Sequence, residues 1–276
     1  MKLKHIATLG LALAPAAAFA GPAINGAGAT FPAPIYQRWF VDYSSATGEK
    51  VNYQSVGSGA GVRQFVAGTV DFGATDEPIK AKEAAKVKRG VVQIPMVGGT
   101  IAVAYNKPGC KLKLTQKQVV HIFMGHIKDW KEVGCAAGSM RVVHRSDGSG
   151  TTYAFTNSLD AFGGWTAGVG KSVKWPVGIG AKGNEGVTAM IKQTPGAIGY
   201  VGLEYAATDD VAMAKLKNKK GEFVNPSVDA VSKAAAGISD FNGDMRMSIT
   251  DADAKGAYPI SAFTYILLPL RKNNAE

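Results

Sequence analysis

Two kinds of apolar spacing alternate along the chain. Short runs at 51–56 and 70–74 are strand-like, and the almost continuous apolar run at 197–201 is typical of a buried strand. Between such runs, apolar residues recur three or four positions apart, as Phe155 and Leu159 do, and this spacing is typical of helices. A regular alternation of strands and helices predicts an α/β protein.

Two longer apolar runs, at 91–105 and 261–270, lie far apart in the sequence. The pair Gly98-Gly99 interrupts the first run and indicates a bent strand that crosses between two lobes. The second run could return beside 101–105. We therefore predict a two-lobed fold with a hinge of two crossing strands, whose ligand would lie in the crevice at the strand ends. The predicted parts are lobe I, residues 21–98 and 260–276, and lobe II, residues 99–259.

Candidate chemistry begins at 145–151, where the sequence reads RSDGSGT between a predicted strand and a predicted helix. Ser149 is a good N-cap, and the neighbouring glycines let a ligand approach the backbone closely. The amides of Gly150 and Thr151, the Ser149 hydroxyl and the Arg145 guanidinium would then surround one small volume. Such a set of donors suits an oxyanion. The alternative is an ordinary capped helix with a surface Arg–Asp pair.

Two similar turns occur earlier in the chain. Thr30-Phe31 and Ser58-Gly59 also end predicted strands with hydroxyl and amide donors where a helix is expected to begin. If the three turns converge, three helix N-termini point at one anion, and each contributes ~0.3–1 kcal/mol. Three such turns together with Arg145 favour an anion site over simple capping.

Asp76 is a carboxylate in this group of donors. It should repel an anion unless it accepts a proton that the ligand still carries. Phosphate near neutral pH keeps at least one proton, whereas sulfate keeps none. Unpaired groups of this kind can give discrimination of about 10⁴–10⁵. Asp76 is therefore the predicted selectivity residue; the alternative is that it only caps the turn before Pro78.

Three motifs resemble one family closely: GAGATFPAP at 26–34, VDFGATD at 70–76 and RSDGSGT at 145–151. They are similar to the periplasmic phosphate-binding proteins of phosphate-specific ABC importers, a type II periplasmic-binding-protein family. Shorter matches at 183–184 and 195–201 support the resemblance, which runs from about residue 26 to 270.

The resemblance implies a protein without a cofactor that binds inorganic phosphate and passes it to a membrane permease. It also implies that Asp147 holds the ligand-binding arginine in place. The implied phosphate-binding residues are Thr30, Phe31 (through its backbone N–H), Ser58, Asp76, Arg145, Ser149, Gly150 and Thr151.

The sequence departs from this family in two places. Gly59 stands where the family has a second serine after Ser58. The family also continues past the last strand into helices that complete the first lobe, whereas this chain stops at Glu276. We therefore expect a shortened lobe I, with the strand at 266–270 partly uncovered.

The first twenty residues have the pattern of a secretory signal peptide, with a basic start, an apolar middle and a cleavage site after Ala20. Its removal lowers the formal charge from +10 to +8, which favours anionic partners weakly. The lysine clusters at 86–89 and 215–220 lack the interleaved aromatic residues of a nucleic-acid surface. We expect a periplasmic monomer that binds no nucleic acid and has no stable membrane insertion.

Cys110 and Cys135 would lie in an oxidising compartment. A disulfide that closes this loop would add about 3 kcal/mol in the chain-entropy model; two free thiols are the alternative. A metal site is not expected, because His121, His126 and His144 show no ligand spacing with the cysteines.

Enzyme functions are weaker interpretations. The glycines at 178–183 fit G-x-G-x-x-G with Glu204 about 20 residues on, as in a dinucleotide site, but Trp175-Pro176 makes a poor preceding strand. Neither Ser58 nor Ser149 lies in G-x-S-x-G. A phosphatase with the same anion pocket, or a phosphate sensor or scavenger, stays open; the leading prediction is a non-enzymatic phosphate carrier.

Overall fold

The computed structural model describes residues 23–238 and 245–270. The predicted signal peptide at 1–20 and the predicted lobe I residues 271–276 lie outside the described residues. In the part of the chain that is described, no helix is long and apolar enough to cross a membrane.

Strands and helices alternate, as the apolar spacing predicts. The strands are β1 Ile24–Gly28, β2 Val51–Ser55, β3 Phe72–Thr75, β4 Val91–Tyr105, β5 Lys113–Leu114, β6 Arg141–Arg145, β7 Ile179–Ala181, β8 Ala197–Gly202, β9 Ala212–Met213, β10 Lys215–Lys217, β11 Phe223–Val224 and β12 Ser261–Pro269. The helices are α1 Ala33–Thr47, α2 Ser58–Ala67, α3 Ala81–Ala84, α4 Gln116–Phe123, α5 Gly150–Phe162, α6 Gly183–Gln193, α7 Leu203–Thr208 and α8 Val228–Ala235, with a 3-10 helix at Trp130–Val133.

The strand β4 belongs to both halves of the molecule. Its first part pairs antiparallel with β12, and its last five residues pair antiparallel with β8. On the β12 side, β1 lies parallel between β2 and β3 in the order β2-β1-β3-β12-β4. On the β8 side, β6 lies parallel between β7 and β8. We call the half around β1 the first lobe and the half around β6 the second lobe; the predicted α/β, two-lobed fold is confirmed.

The predicted pairing of β12 is wrong in its position along β4. We expected β12 beside 101–105, but it pairs with Val91 to Thr100, upstream of that segment. The reason is that both edges of β4 are already used in the second lobe, by β8 on one side and by β9 on the other. The role of these strands as a hinge stays a prediction.

The expected exposure at the end of β12 is found for part of the segment. Leu267 is fully buried in the core of the first lobe, whereas Leu270 is 65% exposed. Helix α1 also presents Trp39 and Tyr43 to solvent, at 40% and 42% exposure. The apolar surface of the first lobe therefore extends beyond its closed core.

Aromatic packing fixes α5 of the second lobe against its sheet. The rings of Phe155 on α5 and Tyr200 on β8 are stacked, with centroids 4.2 Å apart. Both residues are fully buried, and Phe123 packs edge-on against Phe155. Because the start of α5 carries the RSDGSGT turn, this packing also fixes the position of that turn. Elsewhere in the second lobe, Cys110 and Cys135 form a disulfide.

Candidate anion-binding site

The predicted turns meet where the two lobes face each other. The Thr30-Phe31 turn follows β1, Ser58 begins α2 after β2, and the turn at 149–151 follows β6. A Cβ atom added at Gly150 would lie 2.3 Å from Ser58 Oγ and 2.5 Å from Asp76 Oδ2. Such distances admit only glycine, so the second lobe touches the first lobe through a bare backbone.

All eight predicted contact residues are withdrawn from solvent. The buried set comprises Thr30, Phe31, Ser58, Asp76, Arg145, Ser149, Gly150 and Thr151. Polar side chains buried at this density are normally paired with one another or with a ligand.

Ser149 caps α5, as predicted from the sequence. Its Oγ accepts a hydrogen bond from the Thr152 amide at 2.9 Å. Gly150 and Thr151 are the first two helical residues, and amides at these positions have no acceptor within their own helix. Ser58 is likewise the first residue of α2, after Gly57 with a left-handed φ of 88°. Two helix N-termini, one from each lobe, therefore face the same space, and not the three that the sequence predicted, because α1 begins only after Pro32. The Gly59 amide, predicted as a donor, is used by the Gly148 carbonyl at 2.8 Å.

Arg145 is held by a bidentate pair with Asp147. Its Nε and Nη2 donate to the two carboxylate oxygens of Asp147 at 2.7 and 2.6 Å. The Gly183 amide donates to the same carboxylate at 3.2 Å. Burial raises the pKa of Asp147, but the hydrogen bonds and charge of Arg145 outweigh it and bring that pKa below its ordinary value. The guanidinium is thus fixed by one edge, and Nη1 faces Thr151 Oγ1 at 3.4 Å.

Asp76 lies in the opposite wall of the cleft. Neither of its carboxylate oxygens has a hydrogen-bond partner among the described residues, although its amide donates to Ser58 Oγ at 3.2 Å. Burial raises the pKa of Asp76 from 3.8 to about 7, while Thr264, Arg145 and Ser58 act in the opposite direction. The hydroxyls of Thr264 and Ser58 lie near enough to lower the pKa of this carboxyl, but they leave it acceptor capacity for a donor from a ligand.

Asn184 is a site residue that the sequence reasoning missed. Its Nδ2 donates to Thr30 Oγ1 at 2.7 Å and to Thr151 Oγ1 at 3.2 Å, and its Oδ1 accepts from the Gly202 amide at 2.9 Å. It therefore joins hydroxyls of both lobes. The available signal was its place behind Gly183 at the end of a glycine-rich loop, where α6 adds another helix N-terminus.

Tyr200 was missed as well, because it reads only as a buried strand residue. Its hydroxyl accepts from the Arg145 amide at 3.1 Å and shares a hydrogen bond of 2.6 Å with Thr152 Oγ1. It thus links the backbone at the start of the RSDGSGT turn to the side chain of the residue that follows the turn.

The dinucleotide interpretation of 178–183 lacks the structure that it requires. The motif needs a strand before its first glycine. Here residues 171–178 form no strand, and β7 lies inside the motif at the edge of its sheet. The glycines instead lead into Asn184 and the anion site.

Two lobes that close on a buried, donor-rich cleft define a substrate-binding protein of the periplasmic-binding type. In agreement, the family model of the PBP superfamily domain matches residues 14–274. The chain is 40% identical over 269 residues to the phosphate-binding protein PstS of Xylella fastidiosa, which covers 91% of this chain and 73% of that protein. It is 43% identical over 262 residues to PstS of Pasteurella multocida, covering 89% and 75%. The chain therefore belongs to the PstS family of phosphate-binding proteins.

A crystal structure supports the fold independently. The phosphate-binding protein from Stenotrophomonas maltophilia superimposes with a TM-score of 0.71 at 23% identity, over 92% of this chain and 80% of that one.

Proposed function

We propose that this protein captures inorganic phosphate between its two lobes in the periplasm and delivers it to an ABC-type phosphate importer. The observation that carries the proposal is the buried carboxylate of Asp76, without a partner, facing a fixed guanidinium and two helix N-termini. Membership of the PstS family and the sequence of the predicted signal peptide support the carrier role and the compartment.

In this proposal phosphate replaces the missing partners on both walls of the cleft. The free N–H groups of Arg145 and the amides of Gly150 and Thr151 donate to its oxygens. The hydroxyl oxygens of Ser58 and Ser149 each accept a backbone N–H. The Ser149 O–H is left to donate to the ligand, and the Ser58 O–H, which lies near the Asp76 carboxylate, turns to the ligand when it binds. Charge-assisted hydrogen bonds of this type contribute about 1.5–3 kcal/mol each. The remaining contacts are assigned to Thr30 and the Phe31 amide.

Asp76 supplies the acceptor for the proton that phosphate retains. Monoprotonated or diprotonated phosphate has a P–OH group that donates a hydrogen bond to this carboxylate. Sulfate offers only acceptor oxygens there, so two negatively charged oxygens would face each other in a site without water. Selection for phosphate therefore follows from the one acceptor among the donors.

We infer a carrier and not an enzyme, with inorganic phosphate as the unchanged ligand. The other candidates are a phosphatase with the same pocket and a phosphate sensor or scavenger. A phosphatase would release phosphate from a model ester in an Arg145-dependent reaction. A sensor or scavenger would bind phosphate but would not restore phosphate uptake to cells that lack their own binding protein.

Calorimetry on the purified, processed protein tests the binding step. We expect a saturable heat with phosphate and little competition from excess sulfate, and no phosphate heat for R145A. Absence of a saturable phosphate signal from folded wild-type protein would overturn the proposal.

A further inference from the structure

An ion pair connects the two lobes at the rim of the cleft. Lys171 lies in the second lobe, between α5 and β7, and its Nζ is 2.9 Å from Oε2 of Glu77 in the first lobe. The same Nζ is 3.4 Å from Oε1 of Glu83. Both members of the main pair are withdrawn from solvent, with side-chain exposures of 14% for Lys171 and 5% for Glu77.

Each partner is anchored to an anion-binding turn. The Lys171 carbonyl accepts the amide of Ser149, the residue that caps α5, at 2.8 Å. Glu77 directly follows Asp76, and its backbone is fixed by the Thr75 hydroxyl through bonds of 2.7 and 3.2 Å. Separation of the lobes would therefore break the ion pair at the same time as it opens the site.

A second lysine provides an internal comparison. Lys80 pairs with the other oxygen of Glu77 at 3.1 Å, three residues along the same lobe. Its side chain is 58% exposed, and both partners belong to the first lobe, so opening of the lobes would not separate them. The two lysines thus contact one carboxylate, but only Lys171 reaches it from the other lobe.

Burial determines how strongly closure depends on Lys171. In the closed form Glu77 is shielded from water, and removal of its buried partner leaves only the 58% exposed Lys80 to compensate the charge. In the open form Glu77 regains water, so the same removal costs little. Loss of Lys171 therefore raises the free energy of the closed form more than that of the open form.

We propose that Lys171 is a positioning residue for phosphate capture, because its ion pair with Glu77 clasps the closed lobes and slows the release of phosphate. This inference rests on the proposed phosphate-binding function, since the clasp acts on the same closure.

Stopped-flow release and calorimetry on K171M, K80M and wild type test the clasp. We expect K171M to release phosphate at least about 10-fold faster, with an association rate changed less than about threefold. K80M should stay within about twofold of wild type. K171R should restore most of the slow release. The double variant E77Q/K171M should lose less than K171M alone, because it no longer buries a charge that only the exposed Lys80 compensates.

Small-angle scattering of the ligand-free proteins separates the clasp from the function. A more open average shape in K171M, but not in K80M, supports the clasp whether or not the wild-type protein binds phosphate. Absence of phosphate binding by the wild-type protein would overturn the proposed function alone. Equal release rates for K171M and K80M, or an additive E77Q/K171M variant, would overturn the clasp while leaving phosphate capture intact.

Discussion

The substitution Asp76→Asn tests the chemical basis of anion selection. It preserves the shape of the side chain but replaces one acceptor oxygen with an N–H donor and removes the charge. In the wild-type site, both oxygens are buried without a hydrogen-bond partner among the described residues, and burial raises the pKa of Asp76 to about 7. The variant should therefore bind phosphate more weakly and sulfate more tightly than the wild-type protein does.

The expected change in each affinity follows from one hydrogen bond, which phosphate loses and sulfate gains. Phosphate loses a charge-assisted bond worth about 1.5–3 kcal/mol, which corresponds to a fall in affinity of roughly 10- to 150-fold. Sulfate gains a donor where it faced a carboxylate, and we expect an increase of at least about 10-fold. The ratio of the two affinities should then change by about 10² or more, more than either affinity alone.

The same carboxylate has an effect on the stability of the ligand-free protein. Because its folded pKa lies above 3.8, the unfolded chain releases the proton first as the pH rises. Burial of Asp76 therefore costs stability progressively between about pH 4 and pH 7, to a limit of about 4 kcal/mol for the shift to about 7. D76N lacks this cost, so it should unfold at a higher temperature than wild type at pH 8, and the difference should shrink towards pH 4.

Calorimetric titration of both proteins with phosphate and sulfate at pH 8, with thermal unfolding from pH 4 to 8, measures both effects. Thr264→Ser is a control for local packing, since it trims a neighbour of Asp76 but keeps both the carboxylate and the hydroxyl that lowers its pKa. Equal losses of phosphate and sulfate affinity in D76N would refute the proton-acceptor role. A pH-independent difference in unfolding temperature would refute the buried-carboxylate cost.

Other changes separate the remaining roles. Arg145→Ala should abolish phosphate binding at any pH in calorimetry. Asp147→Ala should weaken phosphate binding by about 10- to 100-fold, because it releases the guanidinium of Arg145. Equal effects of the two substitutions would argue against a positioning role for Asp147. Asn184→Ala should reduce the free energy of unfolding in urea by about 1–3 kcal/mol, because it leaves buried donors and acceptors unpaired. Cys135→Ser should lower the free energy of unfolding by about 3 kcal/mol in the same assay, and reduction of the Cys110–Cys135 disulfide should do the same. An unchanged free energy of unfolding would exclude a stabilising role for the disulfide.

The apolar spacing predicted the order of the elements because each lobe buries strands between helices. It also placed the Ser149 cap correctly, since N-caps depend on a local hydrogen bond that sequence spacing can specify. The partner of β12 could not be predicted in this way. Pairing of β4 with β8, β9 and β12 is decided by which edges remain free, and this competition involves segments that lie far apart in the sequence.

The same distinction applies to the site. Arg145, Ser149 and Asp147 lie within one short motif, so their residue types indicated their chemistry. Asn184 and Tyr200 act only through contacts that the fold creates, between Asn184 and Thr30 and between the Tyr200 hydroxyl and the Arg145 amide. The glycine-rich loop before Asn184 could mark a helix start, but nothing in a single sequence indicates which distant turns its side chain joins.

In the mechanism that we propose, anion selection and closure of the lobes depend on each other. Asp76 discriminates between anions only when water is excluded, because water would satisfy its oxygens for either ligand. Exclusion of water requires the bare backbone of Gly150 to approach Ser58 and Asp76 from the other lobe. An anion that carries a proton satisfies Asp76 and stabilises this contact, whereas one without a proton leaves the carboxylate unpaired and favours opening. Closure is therefore itself the selective step, and any contact that stabilises it, such as the pair between Lys171 and Glu77, must be weak enough for the wrong anion to reopen the cleft.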